Sequence, residues 1–321
     1  MFTKLPTVLT ADELLDVSIK RTQKITIPDR NKAYQNKKTI IARTDSFATS
    51  IITRLEQYVK EFPSIDQLPL FYQELIDIKI DNNQLKKSLG AINWAHKISK
   101  DIYMKQKKSL KKTGNQDFLH QKQKEIYGRI SSVVKQVDKD LKFLIEAQKI
   151  MVKFPDIRDL PTIVIAGYPN VGKSSLLRCL SSAKPIVAQY PFTTKQVHVG
   201  HIIKTDSHIE TKYQIIDTPG LLDRPFSKRN TIEKQAISAL THLADLILFV
   251  VDPTETCGYS QKDQQQLLCQ IKKIFSDTPI IQVENKADIK NTSSSSLKIS
   301  CEKNEGINDL LDRIFELMEE K

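Results

Sequence analysis

Cysteine is scarce in this chain of 321 residues, and the four present, Cys179, Cys257, Cys269 and Cys301, have spacings that fit neither a disulfide framework nor a metal site. They read as small, buried apolar residues or isolated thiols of a reducing compartment. Long apolar runs are also missing: no stretch approaches the roughly 18 residues that a bilayer-spanning helix needs. The first 15 residues hold one Lys and then acidic side chains, without the apolar core of a secretory signal. A soluble cytoplasmic protein is therefore expected. Glycine is thin in the first half, where only Gly90, Gly114 and Gly128 of the nine occur before residue 160. A segment so poor in glycine and so rich in helix formers is expected to be helical.

Charge is unevenly placed. Residues 1–160 hold 30 Lys and Arg against 19 Asp and Glu, while the remaining residues hold 19 of each, so the whole net charge of +11 belongs to the first half. Such a surplus attracts a polyanion, either nucleic acid or an anionic membrane surface. Within that half, Leu85, Leu89, Ile92, Ala95, Ile98 and Ile102 recur at helical spacing and lead into a lysine run. A second stripe, from Ile126 through Ile130, Val133, Val134, Val137, Leu141 and Leu144 to Ile145, predicts one further amphipathic helix. The break at 113–115 makes the two stripes an antiparallel hairpin within a bundle. Phe154 and Pro155, with residues 156–161, mark the expected boundary, giving a basic helical domain over 1–158 and a second domain over 159–321.

From residue 162 the pattern changes. Short apolar runs at 162–166, 197–203, 213–217, 246–251, 280–283 and 297–300 alternate with helical patterns at 174–180, 232–240, 262–275 and 307–318. That alternation predicts an α/β domain of mostly parallel sheet wrapped by helices. Between the first strand and the first helix stand Gly167, Tyr168, Pro169, Asn170, Val171, Gly172, Lys173 and Ser174, an uninterrupted G-x-x-x-x-G-K-[ST] loop, followed by Ser175. Strand, loop and helix in that order form a P-loop, whose backbone N–H groups and helix N-terminus converge on triphosphate oxygens. Lys173 is expected to reach the β- and γ-phosphates, and the Ser174 hydroxyl to ligate Mg²⁺.

Three further segments complete the expected site. Asp217 ends an apolar strand and opens D-T-P-G; its carboxylate is expected to hold Mg²⁺ through a water, and the Gly220 N–H to meet the γ-phosphate. Asn285, Lys286 and Asp288 follow the 280–283 strand. A carboxylate at Asp288 can accept both the ring N–H and the exocyclic amine of guanine, a pair that adenine does not offer, while the Lys286 stem packs on the base. Ser300 and Cys301 are candidates for backbone donation to the guanine oxygen. In the polar-aromatic segment 190–194, a threonine hydroxyl should ligate Mg²⁺, with Thr194 favoured and Thr193 in reserve. Lys173, Thr194 and Gly220 are thus the groups expected around the reacting phosphate.

The order and detail of these motifs resemble the nucleolar GTP-binding protein 1 family, within the Obg-like GTPases. The carriers are the loop 167–175, the segment 190–195, Asp217 through Gly220 continuing as Leu221, Leu222, Asp223, Arg224 and Pro225, the stretch from Asp252 to Tyr259, and Asn285 to Asp288. Similar stretches at 62–66, 70–72, 87–90 and 127–129 extend the resemblance into the first half. The resemblance implies a P-loop GTPase domain preceded by an all-α helical-bundle domain. It also implies a role in assembling the large ribosomal subunit precursor, with rRNA and ribosomal proteins as partners, and it supports Thr194 as the metal-binding threonine. The sequence ends directly after the GTPase domain and resembles a short form without the long C-terminal extension of eukaryotic members.

Leu221 stands where many switch GTPases place a water-orienting glutamine, so hydrolysis of GTP is expected to be slow until a partner, another side chain or a monovalent cation supplies the missing stabilisation. Asn170 resembles the asparagine of potassium-activated relatives, which makes K⁺ a candidate beside GTP and Mg²⁺. RNA contacts are expected from Lys97, Lys100, Lys105, Lys107, Lys108, Lys111 and Lys112, with Lys122, Lys124 and Arg129 across the hairpin turn; the alternative is an ordinary solvated helix face. A GTP-dependent switch at an anionic membrane surface and a non-hydrolysing GTP-binding scaffold are the competing readings. The free protein is expected to be a monomer.

Overall fold

The computed structural model describes all residues except 1, 3, 4, 114, 155, 156, 158, 159, 190–195, 207, 208, 320 and 321. Its chain separates into two compact units, one formed by Phe2–Leu68 with Ile80–Val152, the other by Pro69–Lys79 with Lys153–Lys321.

The first unit is all helical. It contains α1 (Ala11–Gln23), α2 (Lys32–Glu61), α4 (Asn82–Lys112), α5 (Gln116–Gln136) and α6 (Asp138–Met151). Starts are set by local chemistry: Thr10 and Glu13 form a reciprocal capping box at α1, and the Asn115 side chain accepts from the N–H groups of Asp117 and Phe118 at α5. Leu14, Phe47, Ile51, Leu55, Leu85, Ile92, Ile126 and Ile130 are fully buried and form the bundle core, where the Phe47 and Tyr127 rings stack at 4.0 Å. The hairpin of α4 and α5 is present.

The single helix expected over 126–145 is two. The chain breaks at Val137, whose φ of −100° and ψ of 15° end α5, and Asp138 opens α6 while accepting the Ala11 N–H at 3.0 Å. The apolar spacing runs unbroken across this point because Val133, Val134, Val137, Leu141 and Leu144 are all buried. Periodicity therefore carried no sign of the break.

The second unit is the P-loop GTPase fold. A seven-stranded mixed sheet has the order β2-β3-β4-β1-β5-β6-β7, from β1 (Thr162–Ala166), β2 (Ile186–Gln189), β3 (Gln196–Asp206), β4 (Ile209–Asp217), β5 (Leu246–Val251), β6 (Ile280–Glu284) and β7 (Leu297–Lys298). β4, β1, β5, β6 and β7 pair in parallel, and β2 and β3 add antiparallel strands at one edge. β1 and β5 are buried at every position, as largely apolar runs covered on both faces must be. The helices are α7 (Lys173–Leu180), α8 (Thr231–Thr241), α9 (Gln261–Ile274) and α10 (Ile307–Glu319), joined by α3 (Leu70–Ile80) from the first half of the chain. Tyr72 on α3 shows why: its hydroxyl donates to the Ile157 carbonyl at 3.0 Å and accepts the Ile157 N–H at 2.8 Å. Among the described residues no helix is long and apolar enough to cross a membrane.

Candidate nucleotide-binding site

Parallel pairing places the carboxyl ends of β4, β1, β5 and β6 side by side, so the loops that leave them converge. Ile165 is in register with Asp217 and Val251 with Glu284, which sets the phosphate loop beside the D-T-P-G turn and the 252–259 segment beside Asn285. The Gly167 N–H donates to the Leu222 carbonyl at 3.1 Å and the Asn285 N–H to the Val251 carbonyl at 2.9 Å, tying these loops together.

The phosphate loop requires glycine at both ends. Gly167 has φ of 136°, and a Cβ there would lie 2.5 Å from the Val250 carbonyl oxygen; Gly172 has φ of 104°, and its Cβ would lie 2.2 Å from Asn285 Nδ2. Asn170 takes the left-handed region with φ of 64°, which asparagine tolerates. Val171 is buried and its carbonyl accepts from Asn285 Nδ2 at 2.9 Å, so the phosphate loop and the base-side loop share one hydrogen bond. Tyr168 is buried with its ring stacked on Tyr259 at 4.1 Å, while Pro169 and Ser175 are half-exposed beside it. Lys173 opens α7 with only 8% of its surface exposed, and its Nζ donates to the Gly167 and Tyr168 carbonyls at 2.8 and 2.7 Å.

Asp217 is fully buried at the end of β4. One carboxylate oxygen accepts from the Ser174 hydroxyl at 2.6 Å; the other, Oδ1, is buried without a hydrogen-bond partner among the described residues, as is the Thr218 hydroxyl. A buried carboxylate oxygen left unpaired is costly unless something else satisfies it. A hydrated Mg²⁺ between Ser174 and Asp217 fits this donor set of hard oxygens. Thr194 and Thr193, expected to join them, lie outside the described residues, and among the described residues no cluster of three or more His, Cys, Asp or Glu side chains forms. Gly220 has φ of 92°, and its N–H donates to the Asp223 carboxylate at 2.8 Å.

The base side is a cleft of about 470 Å³ lined by Asn170, Gly172, Asn285, Lys286, Asp288 and Cys301, among others. A hydrogen bond from the Ser300 hydroxyl lowers the Asp288 carboxyl below the usual carboxylate range. As a carboxylate it offers acceptors only. The Ser300 N–H, expected as a donor to the guanine oxygen, closes a bridge to the Glu305 carbonyl at 3.0 Å. The Cys301 N–H reaches Asn285 Oδ1 at 3.2 Å, so it too has a partner inside the protein.

One member of the site was quoted in the sequence only as a family marker. Asp252, fully buried at the end of β5, accepts Lys286 Nζ at 2.6 Å, the Thr254 N–H and hydroxyl at 2.9 and 2.5 Å, and the Cys257 N–H at 2.9 Å. Lys286 Nζ also donates to the Thr256 hydroxyl at 2.7 Å. The 252–259 segment therefore anchors the head of the lysine whose stem borders the base cleft. Burial raises the Asp252 carboxyl, but the Lys286 ammonium and the Thr254 donors outweigh it and hold the group at about 2. Because the folded value is depressed, its stabilisation is full above the ordinary carboxylate range and is lost as pH falls through about 2. Thermal melts should show Asp252→Asn less stable than the wild type by about 2 kcal/mol at pH 7, with the gap closing as pH approaches 2.

Of the expected RNA contacts, Lys97, Lys100, Lys105 and Lys108 are exposed on α4. Lys107 is half-buried, 3.3 Å from the Asp45 carboxylate and 5.0 Å from the Tyr103 ring centre. Lys122 and Arg129 share Glu125, at 2.7 and 3.4 Å, and Lys124 is exposed. The side chains of Lys111 and Lys112 lie outside the described residues.

Comparison with known proteins agrees with this architecture. Residues 2–158 match the family described as NOG1 N-terminal helical domain, and residues 162–286 match the one described as 50S ribosome-binding GTPase. An uncharacterised protein of Methanocaldococcus jannaschii is 37% identical over 292 residues, covering 90% of this chain and 81% of its own. Nucleolar GTP-binding protein 1 of Drosophila melanogaster is 34% identical over 90% of this chain and 44% of its own, and that of Saccharomyces cerevisiae 33% identical over 89% and 44%. The chain thus spans less than half the length of these two eukaryotic relatives. A crystal structure of nucleolar GTP-binding protein 1 from Plasmodium falciparum is 35% identical, with a TM-score of 0.45, over 52% of this chain and 91% of its own. With a P-loop GTPase domain and the matching helical first half both present, the chain belongs to the nucleolar GTP-binding protein 1 family.

Proposed function

We infer that this protein binds GTP with Mg²⁺, hydrolyses it slowly when alone, and acts in assembly of the large ribosomal subunit, with the cytoplasm as its setting. The observation that carries the nucleotide reading is the Asp288 carboxylate. It lines the cleft next to the phosphate loop, and Lys286 beside it is pinned by Asp252 and Thr256. That arrangement suits guanine, which presents two donors on one edge, and disfavours adenine.

In the reaction, Lys173 and the phosphate-loop N–H groups orient the triphosphate and offset its charge, Ser174, Asp217 and Thr194 would hold the metal, and the Gly220 N–H meets the γ-phosphate. When bound there, Mg²⁺ would supply positive charge against the phosphates. Leu221 is fully buried and its side chain offers no polar atom, so nothing at that position orients the attacking water. Intrinsic turnover should therefore be slow and should rise on addition of large-subunit precursor particles. Asn170, exposed in the left-handed region at the mouth of the loop, supports a K⁺ requirement. Single-turnover hydrolysis measured in potassium and in sodium buffer, with and without such particles, tests both points. Faster turnover with K⁺ and with particles is expected; equal rates in all four conditions would refute both stimulations, and no turnover in any would leave a non-hydrolysing scaffold.

The basic unit supplies the RNA contacts, dividing the work between residues 1–158 and 159–321. Lys97, Lys100, Lys105 and Lys108 are the exposed candidates, whereas Lys107 is engaged with Asp45. Changing these four to Gln should reduce the slope of log affinity against log salt by about 3 units for ribosomal RNA, since each released phosphate contact contributes roughly 0.7–0.9. An unchanged slope would make the run a solvated face. Binding to anionic vesicles in place of RNA would favour the membrane reading.

A further inference from the structure

Two buried charges in the 221–229 segment have no part in the nucleotide chemistry described above. Asp223 and Arg229 are each only 5% exposed. The Asp223 carboxylate accepts the Gly220 N–H at 2.8 Å. Arg229 sits over the Phe226 ring at 4.7 Å and donates one Nη2–H to the Arg224 carbonyl at 2.5 Å, while its Nε and Nη1 are buried without a hydrogen-bond partner among the described residues. Guanidinium donors are rarely left unsatisfied in a protein interior, because a charged donor without a partner costs more than a neutral one. Asp223 is also near enough for its charge to act on the Arg229 guanidinium.

The Gly220 N–H is the donor assigned above to the γ-phosphate, and this step rests on that reading. One N–H cannot serve a carboxylate and a phosphate oxygen together in good geometry, and the two anions repel at such a distance. A diphosphate carries nothing at that point, so it leaves the Gly220–Asp223 bond intact. We propose that Asp223 is a specificity-determining residue for phosphate number: its carboxylate occupies the γ-phosphate's place on the Gly220 N–H in the diphosphate form and moves to the unpaired Arg229 donors when the triphosphate binds. Both positions offer the carboxylate buried hydrogen bonds, which makes the 220–229 segment a two-position element biased by the third phosphate. A ligand shifts such an element only through its differential affinity for the two positions, so the residue acts on the ratio of GTP to GDP binding.

The test is calorimetric binding of GDP and of a non-hydrolysable GTP analogue, each with Mg²⁺, to the full chain and its variants. Asp223→Asn keeps an acceptor for Gly220 but removes the repelling charge. It should tighten the GTP analogue about tenfold and leave GDP within about twofold. Arg229→Gln removes the second position and should weaken the analogue alone; in the double variant the Arg229 effect should disappear. A purely structural role would instead weaken both nucleotides together with the melting temperature. The proposal is overturned if Asp223→Asn leaves the GTP-to-GDP ratio unchanged or shifts both affinities equally. If Arg229→Gln fails to fold, the Asp223→Asn ratio alone decides. Failure of the wild type to bind GDP would instead refute the guanine-nucleotide reading, and the proposal with it.

Discussion

Changing Asp288 to Asn should cost GTP about a hundred- to ten-thousandfold in affinity, because each charge-assisted hydrogen bond to the base is worth about 1.5–3 kcal/mol and two are lost. The loss should be selective. Xanthine carries an oxygen where guanine carries the exocyclic amine, and an Asn amide can donate to it. The variant should therefore bind xanthosine triphosphate more tightly than GTP, reversing the wild-type order. The Ser300 hydroxyl, which bonds the Asp288 carboxylate, can serve either side chain as donor or acceptor, so the surrounding loop can accept the substitution. Competition binding with GTP and xanthosine triphosphate reads the outcome. An Asp288→Asn protein that keeps GTP and shows no gain for xanthosine triphosphate would place base recognition elsewhere.

Gly172→Ala should abolish nucleotide binding while lowering the melting temperature by only a few degrees. Two effects combine. An L-residue at φ of 104° is strained, by about 1–2 kcal/mol, which for a domain of this size is several degrees of melting temperature. The larger effect is geometric, since the new Cβ would lie 2.2 Å from Asn285 Nδ2. Either the phosphate loop or Asn285 must move, and Asn285 Nδ2 is the group bonded to the Val171 carbonyl. One methyl group thus disturbs the phosphate cradle and the base-side loop together. Fluorescent-nucleotide titration and a melting curve on the same sample separate the two effects. Retained nucleotide affinity in a folded Gly172→Ala protein would contradict the close packing of these two loops.

The sheet and the phosphate loop were legible because their signals are local. Thr162–Ala166 is apolar, β-branched and followed at once by the glycine-lysine loop, so type and position could both be read. β2, at Ile186–Gln189, was not anticipated: it is four residues long, pairs antiparallel with β3, and leaves Ile186 and Val187 exposed, so no buried periodicity marks it. Val137 was invisible for the opposite reason, since an apolar side chain buried on both sides of a break looks like continuous helix. The association of residues 70–79 with the GTPase unit depends on Tyr72 meeting Ile157, 85 residues away, which spacing alone does not encode.

At the site, the motif residues were readable and their supports were not. Lys286 and Asp288 follow from the chemistry of guanine, but Asp252, which holds the Lys286 ammonium, lies 34 residues earlier, just past the end of β5. A buried Asp at a strand end followed by two threonines at 254 and 256 was the available signal, and its meaning emerges only when β5 and β6 pair in register. Ser300 shows the same limit. Its N–H was expected to be available to a ligand, and the bridge that engages it with Glu305 is not encoded in local spacing.

The central claim is that this chain selects guanine nucleotides through the Asp288 carboxylate beside the phosphate loop. Isothermal titration of the wild-type protein with GTP and with ATP, at equal Mg²⁺, tests it most directly. Tight binding of GTP with ATP at least a hundredfold weaker is the predicted result. Equal affinity for the two, or no binding of either, would contradict the account.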